Sequence, residues 1–294
     1  MIAAWLLVAI LAGEAPASAA TPLRVVDDVG TTVLIAGAPA RIVCLSPGAT
    51  EILFALQAGK RIVGVTTLCD YPAAASRIPG VGEFFAPSLE AILAKRPDLV
   101  VATGGAQRDL VLRLRQGSIP VLVMYPSGLE GVFRNITLLG RVVGRQETAS
   151  ALVASLRGRV ARLTAPLKDL PAASRPKVYF ELSGDPIMSF GDTSYAGELI
   201  RLAGGTNVAA GTVGDYPRLS AETILAADPD VILLSRCDRA ADAVAQVGSR
   251  PGWGGLKAVK AGRVYGDLNM DLILRPGPRL VDGLEVLIGK IHPK

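Results

Sequence analysis

One glutamate recurs at the same place in a segment that the chain carries twice. Residues 88–100 read SLEAILAKRPDLV and residues 220–232 read SAETILAADPDVI, with matching positions at one constant offset. Glu90 and Glu222 hold the third place of each copy, two residues after a serine that can cap a helix. A carboxylate in the first turn complements the positive end of the helix dipole. The two glutamates are therefore either simple helix-start residues or a matched pair of anionic groups.

Groups for covalent or acid–base catalysis are scarce. His292 is the only histidine, so no Ser-His-Asp or Cys-His arrangement and no histidine-rich zinc site can be drawn. The chain contains no G-x-S-x-G, P-loop or G-x-G-x-x-G motif. Adjacent acids such as Asp27 and Asp28 fall in a turn, where we expect them to be solvated. The sequence therefore predicts a binding protein rather than an enzyme, without catalytic residues, a metal site or a resident cofactor.

The three cysteines leave open how the thiols are used. Cys44, Cys69 and Cys237 are odd in number, so at least one thiol is unpaired. Cys44 and Cys69 fall at neighbouring predicted strands and could pair in an oxidising compartment. Three small buried side chains are the alternative.

The overall composition is that of a folded protein with room for two domains. The chain has 294 residues, of which 50% are hydrophobic and 19% are charged. The formal net charge is +5, but the basic residues are scattered rather than clustered. We therefore predict no nucleic-acid partner, and we expect a monomer.

The first twenty residues form a separate segment. An apolar run from Ile2 to Ala12 is followed by small residues, and Ala17-Ser18-Ala19 fits the A-x-A cleavage pattern. The run is too short to span a membrane, and no cysteine stands at its end to carry a lipid. We expect residues 1–20 to be a signal peptide cleaved near Ala19 or Ala20 and the mature protein to be periplasmic. A buried N-terminal helix is the alternative.

The chain alternates short apolar runs with amphipathic helical segments. After a predicted β-hairpin at 21–35, this alternation occupies the rest of the first half and returns in the second half. It predicts an α/β fold with parallel sheets covered by helices on both faces. A long stretch with helical periodicity, interrupted at Gly144, lies between the halves. We predict two similar α/β lobes, 21–143 and 171–294, joined by a stiff linker helix at 144–170.

The segment from Arg41 to Ala102 resembles a known family. It is similar to the opening lobe of periplasmic substrate-binding proteins of ABC importers, in the class that carries cobalamin, haem and ferric siderophores. The motif CDYP, followed by VGEFFAPSLE, is most similar to the vitamin B12-binding proteins. The resemblance runs from about Leu23 to the C-terminus. It implies the class III periplasmic binding protein fold, with a ligand captured between the lobes and delivered to a dimeric membrane permease.

The resemblance also implies a role for the repeated glutamates. In the vitamin B12-binding members each lobe presents a glutamate that meets arginines of the permease, and by motif these are Glu90 and Glu222. Two equivalent carboxylates on two equivalent lobes suit a two-fold symmetric partner. The interpretation as helix-start residues stays open beside this one.

The few aromatic residues indicate where a ligand is held. A corrinoid is a broad, largely apolar ring edged with amides, and it needs flat apolar walls. Tyr71 lies in the loop after the second predicted parallel strand, and the resemblance implies that its ring stacks on the ligand. Phe84 follows at the place of an aromatic wall in the relatives, and Tyr216 is expected as the opposite wall. Core packing is the alternative for Tyr71 and Phe84.

Further candidates come from the second lobe. We expect one or two of Phe180, Met188 and Phe190 to face the ligand, with core packing as the alternative for those in strands. By resemblance, Asp271 is the best match for an acid that contacts the ligand. Asn269 and Arg275 are weaker candidates, with helix capping as the alternative for Arg275.

Two other ligands of the class remain open. Haem iron needs an axial ligand, which Tyr71 or Tyr216 could supply. Ferric siderophores favour clustered arginines beside aromatic rings, and only Arg275 is well placed for that. The sequence thus predicts a carrier of a corrinoid such as vitamin B12, with haem or a ferric siderophore as the alternative.

Overall fold

The structure, a computed structural model, describes residues 22–235 and 240–293. The predicted signal peptide and Cys237 lie outside these ranges. In the described part of the chain, no helix is both long and apolar enough to cross a membrane.

The first lobe is built on a four-stranded parallel sheet. The predicted hairpin precedes it as antiparallel strands β1 (Leu23–Val26) and β2 (Thr32–Ile35). The sheet has the order β4-β3-β5-β6 and contains β3 (Ile42–Cys44), β4 (Ile62–Val65), β5 (Leu99–Thr103) and β6 (Val121–Met124). The connecting helices are α1 (Pro47–Ala55), α2 (Leu89–Ala94) and α3 (Arg108–Gln116). The strands are almost wholly buried, as expected for a sheet covered on both faces.

Two long helices connect the lobes. They are α4 (Gly128–Val142) and α5 (Gln146–Thr164). The interruption expected at Gly144 is present, because this residue has φ of +67°, a left-handed conformation that glycine adopts without strain. The helical stretch is therefore two packed helices joined by a tight turn, and α5 occupies most of the predicted linker.

The second lobe repeats the parallel arrangement and adds one antiparallel strand. Its strands are β7 (Lys177–Gly184), β8 (Ile187–Ser189), β9 (Thr206–Asn207), β10 (Val231–Leu234) and β11 (Val264–Tyr265). β7 pairs in parallel with β9 and β10, β10 pairs in parallel with β11, and β8 is antiparallel to β7. The helices are α6 (Tyr195–Leu202), α7 (Ala221–Ala227), α8 (Ala240–Ser249), α9 (Lys257–Lys260), α10 (Asp271–Leu274) and α11 (Leu280–Ile291). The predicted architecture of two parallel-sheet lobes is confirmed.

One hydrophobic core runs through both lobes. Helix α4 packs against α6, and α5 packs against α11. Ile52 of α1, Val132 of α4, Leu199 of α6 and Leu284 of α11 all belong to this core and are fully buried. Packed helices, rather than a flexible tether, hold the lobes together.

The prediction that the acids of the hairpin turn are solvated was wrong for Asp27. Asp27 is not solvated: its carboxylate is buried, and it accepts hydrogen bonds from Arg115 Nη2 at 2.6 Å and from the Val123 amide at 3.2 Å. Asp28 accepts from the Tyr125 amide at 2.7 Å. A carboxylate removed from water needs such partners. The two acids therefore anchor the hairpin to the end of β6.

Gly48 marks a close approach of backbone between the lobes. A Cβ atom at this position of α1 would lie 2.7 Å from the carbonyl carbon of Pro276. We expect Gly48→Ala to lower the free energy of unfolding by about 1–3 kcal/mol, because neither backbone can retreat easily. Urea unfolding measures this change. Gly37→Ala is the matched control, since its Cβ would meet nothing within 4 Å. Equal stability of the two variants would contradict the tight contact.

Candidate functional site

Some of the predicted ligand residues, including Tyr71 and Arg275, lie where the two lobes touch. In each parallel sheet, loops at the carboxyl ends of the strands are the usual place for ligands. Tyr71 follows β4, and Tyr125 directly follows β6. The Tyr125 hydroxyl donates to Asp215 Oδ2 of the second lobe at 2.9 Å. We call the region bounded by Tyr71, Tyr125, Tyr216 and Arg275 the interlobe site.

Tyr71 forms an exposed wall on the first lobe. Its side chain is 45% exposed. The guanidinium carbon of Arg279, from the second lobe, lies 3.6 Å from the ring centroid. This cation–π contact covers one face of the ring and holds its orientation. The opposite face stays available for stacking.

Phe84 was predicted as the aromatic wall, but the neighbouring Phe85 is the more exposed ring. Phe84 is only partly exposed, whereas Phe85 is 74% exposed and meets Phe84 edge-on at 4.9 Å. The buried amide of Gln107 fixes the loop by donating to Phe84 O at 2.9 Å and to Leu45 O at 3.1 Å. Sequence reasoning passed over Phe85, but this ring offers the larger free surface.

Tyr216 is the corresponding exposed ring on the second lobe. Its side chain is 37% exposed, and its ring meets Phe190 at a centroid distance of 5.9 Å. Phe190 in turn packs on Phe180 at 4.7 Å. Both phenylalanines have no exposed surface. The expectation that Phe180 or Phe190 faces the ligand is therefore corrected: they fill the core behind Tyr216 and support it.

The phenols around Tyr216 stay protonated. Burial, with Asp215 and Tyr216 adding to it, raises the pKa of Tyr125 to about 12. Burial also raises the pKa values of Tyr195 and Tyr216. At neutral pH these groups are therefore neutral phenols and not phenolates, and the hydroxyls of Tyr125 and Tyr195 donate hydrogen bonds.

Tyr125 was missed by sequence reasoning although the sequence carries a signal for it. Tyr125 precedes a proline, as do Tyr71 and Tyr216. A proline restricts the preceding residue to extended backbone, which helps to lift a ring out of a loop. The shared Tyr-Pro pair is the feature that could have revealed all three positions.

Arg275 is the C-cap residue of α10, and its side chain bridges the two lobes. Its guanidinium is buried and binds both carboxylate oxygens of Asp70, with Nη2 to Oδ2 at 3.3 Å, and it binds Asp271 Oδ1 at 2.9 Å. Hydrogen bonding to Arg275 holds the pKa of Asp70 below its usual value. Asn269 is exposed and accepts from the Asp271 amide at 3.1 Å. The predicted polar residues thus gather beside the loop that carries Tyr71.

A second bridge between the lobes was not predicted. Arg279 donates to Glu51 through Nη2 at 2.6 Å and through Nε at 3.0 Å. Glu51 is 4% exposed, and burial raises its pKa against the opposing effect of Arg279. No local pattern could have revealed this pair, because its partners are 228 residues apart.

The two repeated glutamates occupy matching surface positions. Glu90 and Glu222 lie in the first turns of α2 and α7, and both are exposed. In each helix the preceding serine is the N-cap and accepts a backbone N–H at 3.2 Å. Backbone and Ser220 hydrogen bonds lower the pKa of Glu222. Neither glutamate forms an ion pair with another residue in ranges 22–235 and 240–293.

In the part of the chain that the structure describes, the cysteines form no disulfide and no metal site. Cys44 and Cys69 are both buried and unpaired, so the possible disulfide is not formed. Burial raises the pKa of Cys44 to about 12, which makes its thiol unreactive at neutral pH. Among the described residues, no group of His, Cys, Asp and Glu is arranged to hold a metal ion.

Known proteins resemble this chain over most of its length. The sequence profile of the family described as periplasmic binding protein matches residues 42–268. An uncharacterized ABC transporter substrate-binding lipoprotein of Bacillus subtilis is 31% identical, covering 92% of this chain and 86% of its own.

Two solved structures share the fold. The periplasmic vitamin B12-binding protein of Vibrio cholerae has a TM-score of 0.74 and 28% identity, covering 86% of this chain and 97% of its own. A periplasmic haem-binding protein from Roseiflexus sp. RS-1 has a TM-score of 0.75 and 26% identity, covering 85% and 97%. The family match spans well over half of the sequence, so this chain belongs to the periplasmic binding protein family, as an extracytoplasmic solute-binding component of an ABC transporter and not as an enzyme.

Proposed function

We propose that this protein binds a corrinoid of the vitamin B12 type between its lobes and delivers it to a membrane permease. The observation that carries the proposal is the pair of exposed tyrosine rings, Tyr71 on one lobe and Tyr216 on the other. A flat, largely apolar ring system is the ligand shape that two such walls suit. Phe85 adds a third exposed ring on the first lobe.

The polar groups of the interlobe site support an uncharged ligand. The amides that edge a corrinoid both donate and accept hydrogen bonds, so they can meet Asp271, Asn269 and the Tyr125 hydroxyl. Asp271 and Asn269 are partly or fully exposed near Arg275. The similarity to the solved vitamin B12-binding protein of Vibrio cholerae points the same way.

Delivery to the permease is the second part of the proposal. Glu90 and Glu222 support it because they are equivalent, exposed and free of internal ion pairs in the described part of the chain. Such carboxylates can meet arginines of a two-fold symmetric membrane partner.

Haem is the second candidate, and one feature of Tyr71 favours it. The Tyr71 hydroxyl makes no hydrogen bond with any residue that the structure describes. A free phenol on an exposed ring can serve as an axial ligand to haem iron. The similarity to the solved haem-binding protein from Roseiflexus supports this alternative.

Calorimetric titration of the mature protein tests the proposal. We expect cyanocobalamin to bind at one site per chain with a dissociation constant of about 1 μM or lower, which corresponds to about 8 kcal/mol or more. Tyr71→Phe should leave this affinity nearly unchanged, because stacking needs the ring and not the hydroxyl. Haemin and a ferric hydroxamate are titrated in parallel. Tight haemin binding that is lost in Tyr71→Phe, with no heat from cyanocobalamin, would replace the corrinoid by haem.

A further inference from the structure

Two arginines from one short segment of the second lobe reach into the first lobe. Arg275 and Arg279 are four residues apart, and both side chains are largely buried. Arg275 is paired with Asp70 and with Asp271, and Arg279 is paired with Glu51 through two hydrogen bonds. Asp70 and Glu51 come within reach only because the lobes are packed together, whereas Asp271 lies one helical turn before Arg275.

These ion pairs occupy the groups that normally recognise anions. A guanidinium presents a planar fork of donors that matches a carboxylate, and it is the preferred protein group for binding one. The guanidinium of Arg279 is bound to Glu51, and the guanidinium of Arg275 is bound to Asp70 and Asp271. Two cations thus face three carboxylates. An incoming carboxylate would therefore find no free guanidinium at these positions and would meet a locally negative field.

The paired arginines adjoin the proposed ligand wall directly. The guanidinium of Arg279 lies 3.6 Å from the centre of the Tyr71 ring, and Asp70 is the residue before Tyr71. A ligand stacked on the free face of Tyr71 would therefore be separated from Arg279 by the thickness of the ring and would lie beside the loop that carries Asp70. A change in the charge of either pair would act on that ligand at short range.

We propose that Asp70 and Glu51 are specificity-determining residues of the interlobe site. By neutralising Arg275 and Arg279, they favour a ligand edged with uncharged amides over a ligand edged with carboxylates. This inference rests on the proposed corrinoid function and adds the residues that select the ligand class.

The test compares two ligands that differ in one group. Cyanocobalamin and its monocarboxylic acid derivative share the ring, but one side-chain amide of the derivative is replaced by a carboxylate. We expect the unmodified protein to prefer the amide form by about tenfold or more. Asp70→Asn and Glu51→Gln keep the side-chain shape and remove one negative charge each. Each should reduce this preference at least about tenfold, because a guanidinium loses one carboxylate partner and can then meet the carboxylate of the ligand.

Asp98→Asn is the matched control. Asp98 also accepts backbone hydrogen bonds, from Ala40 and Arg41, but it stands at the amino end of β5, opposite the interlobe site. Its substitution removes the same charge and should leave the preference unchanged. Thermal unfolding of each variant shows whether it is folded. Asp70 is half-exposed, so Asp70→Asn carries the test even if Glu51→Gln does not fold.

The outcomes separate this inference from the proposed function. An unchanged preference in folded Asp70→Asn would overturn the selecting role while leaving corrinoid binding intact. If the unmodified protein binds no corrinoid, the proposed function fails, and haemin with its two carboxylates becomes the probe. Tighter haemin binding by Asp70→Asn than by Asp98→Asn would then support the selecting role, and equal binding would reject it.

Discussion

Ligand uptake into vesicles that contain the cognate permease should collapse when Glu90 and Glu222 are both replaced by alanine. Both carboxylates are exposed and lie at equivalent helix starts, so a two-fold symmetric permease can engage one on each lobe. Truncating one partner of a charge pair that becomes buried on docking is strongly unfavourable, whereas a pair at a wet rim contributes little. We expect about a tenfold loss of uptake for each single variant and about a hundredfold loss for the double variant, since distant contacts add.

A glutamate in another helix of the chain provides the control for this experiment. Glu147 is also an exposed glutamate in a first turn, that of α5, but it has no counterpart in the repeated segment. Glu147→Ala should leave uptake unchanged. Affinity for the ligand, measured by calorimetry, should be the same in all variants. Normal uptake by the double variant would show that Glu90 and Glu222 are only helix-start residues.

Removing either tyrosine wall should weaken ligand binding by about 1–4 kcal/mol, as truncation of aromatic anchors does in other interfaces. Tyr71 and Tyr216 are 45% and 37% exposed. Their replacement by alanine therefore removes contact with the ligand but little of the core. We expect calorimetry to show the loss of affinity, with a melting temperature close to that of the unmodified protein.

Phe180 provides the opposite pattern and serves as the comparison. Its ring is fully buried behind Phe190, which supports Tyr216. Phe180→Leu should lower the melting temperature, because a buried contact is lost, while ligand affinity changes much less. If Tyr71→Ala and Tyr216→Ala behave like Phe180→Leu, the two tyrosines are structural and the proposed ligand walls are wrong.

The sequence by itself was sufficient to predict the α/β architecture and the equivalent helix-start positions of Glu90 and Glu222. Continuous apolar runs alternating with helical segments predicted the parallel sheets, because buried strands and amphipathic helices have different periods. The repeated segment predicted the same capped helix start in each lobe, since the N-cap depends only on a serine and the next few residues. Tyr71 was also accessible to this reasoning, because loops after parallel strands lie at the surface, and the family resemblance added Tyr216.

The side-chain environment of the interlobe site was decided by tertiary structure. Phe180 and Phe190 belong to the core, and their residue type does not show this, because an aromatic ring can serve equally as core or as a ligand wall. The pairs Asp70–Arg275 and Glu51–Arg279 join residues 205 and 228 positions apart. Such contacts depend on how two lobes pack, whereas local periodicity reports only on the neighbouring turn or strand. The sequence could therefore indicate the proposed position of the ligand, while the charge around that position follows from the packing of the lobes.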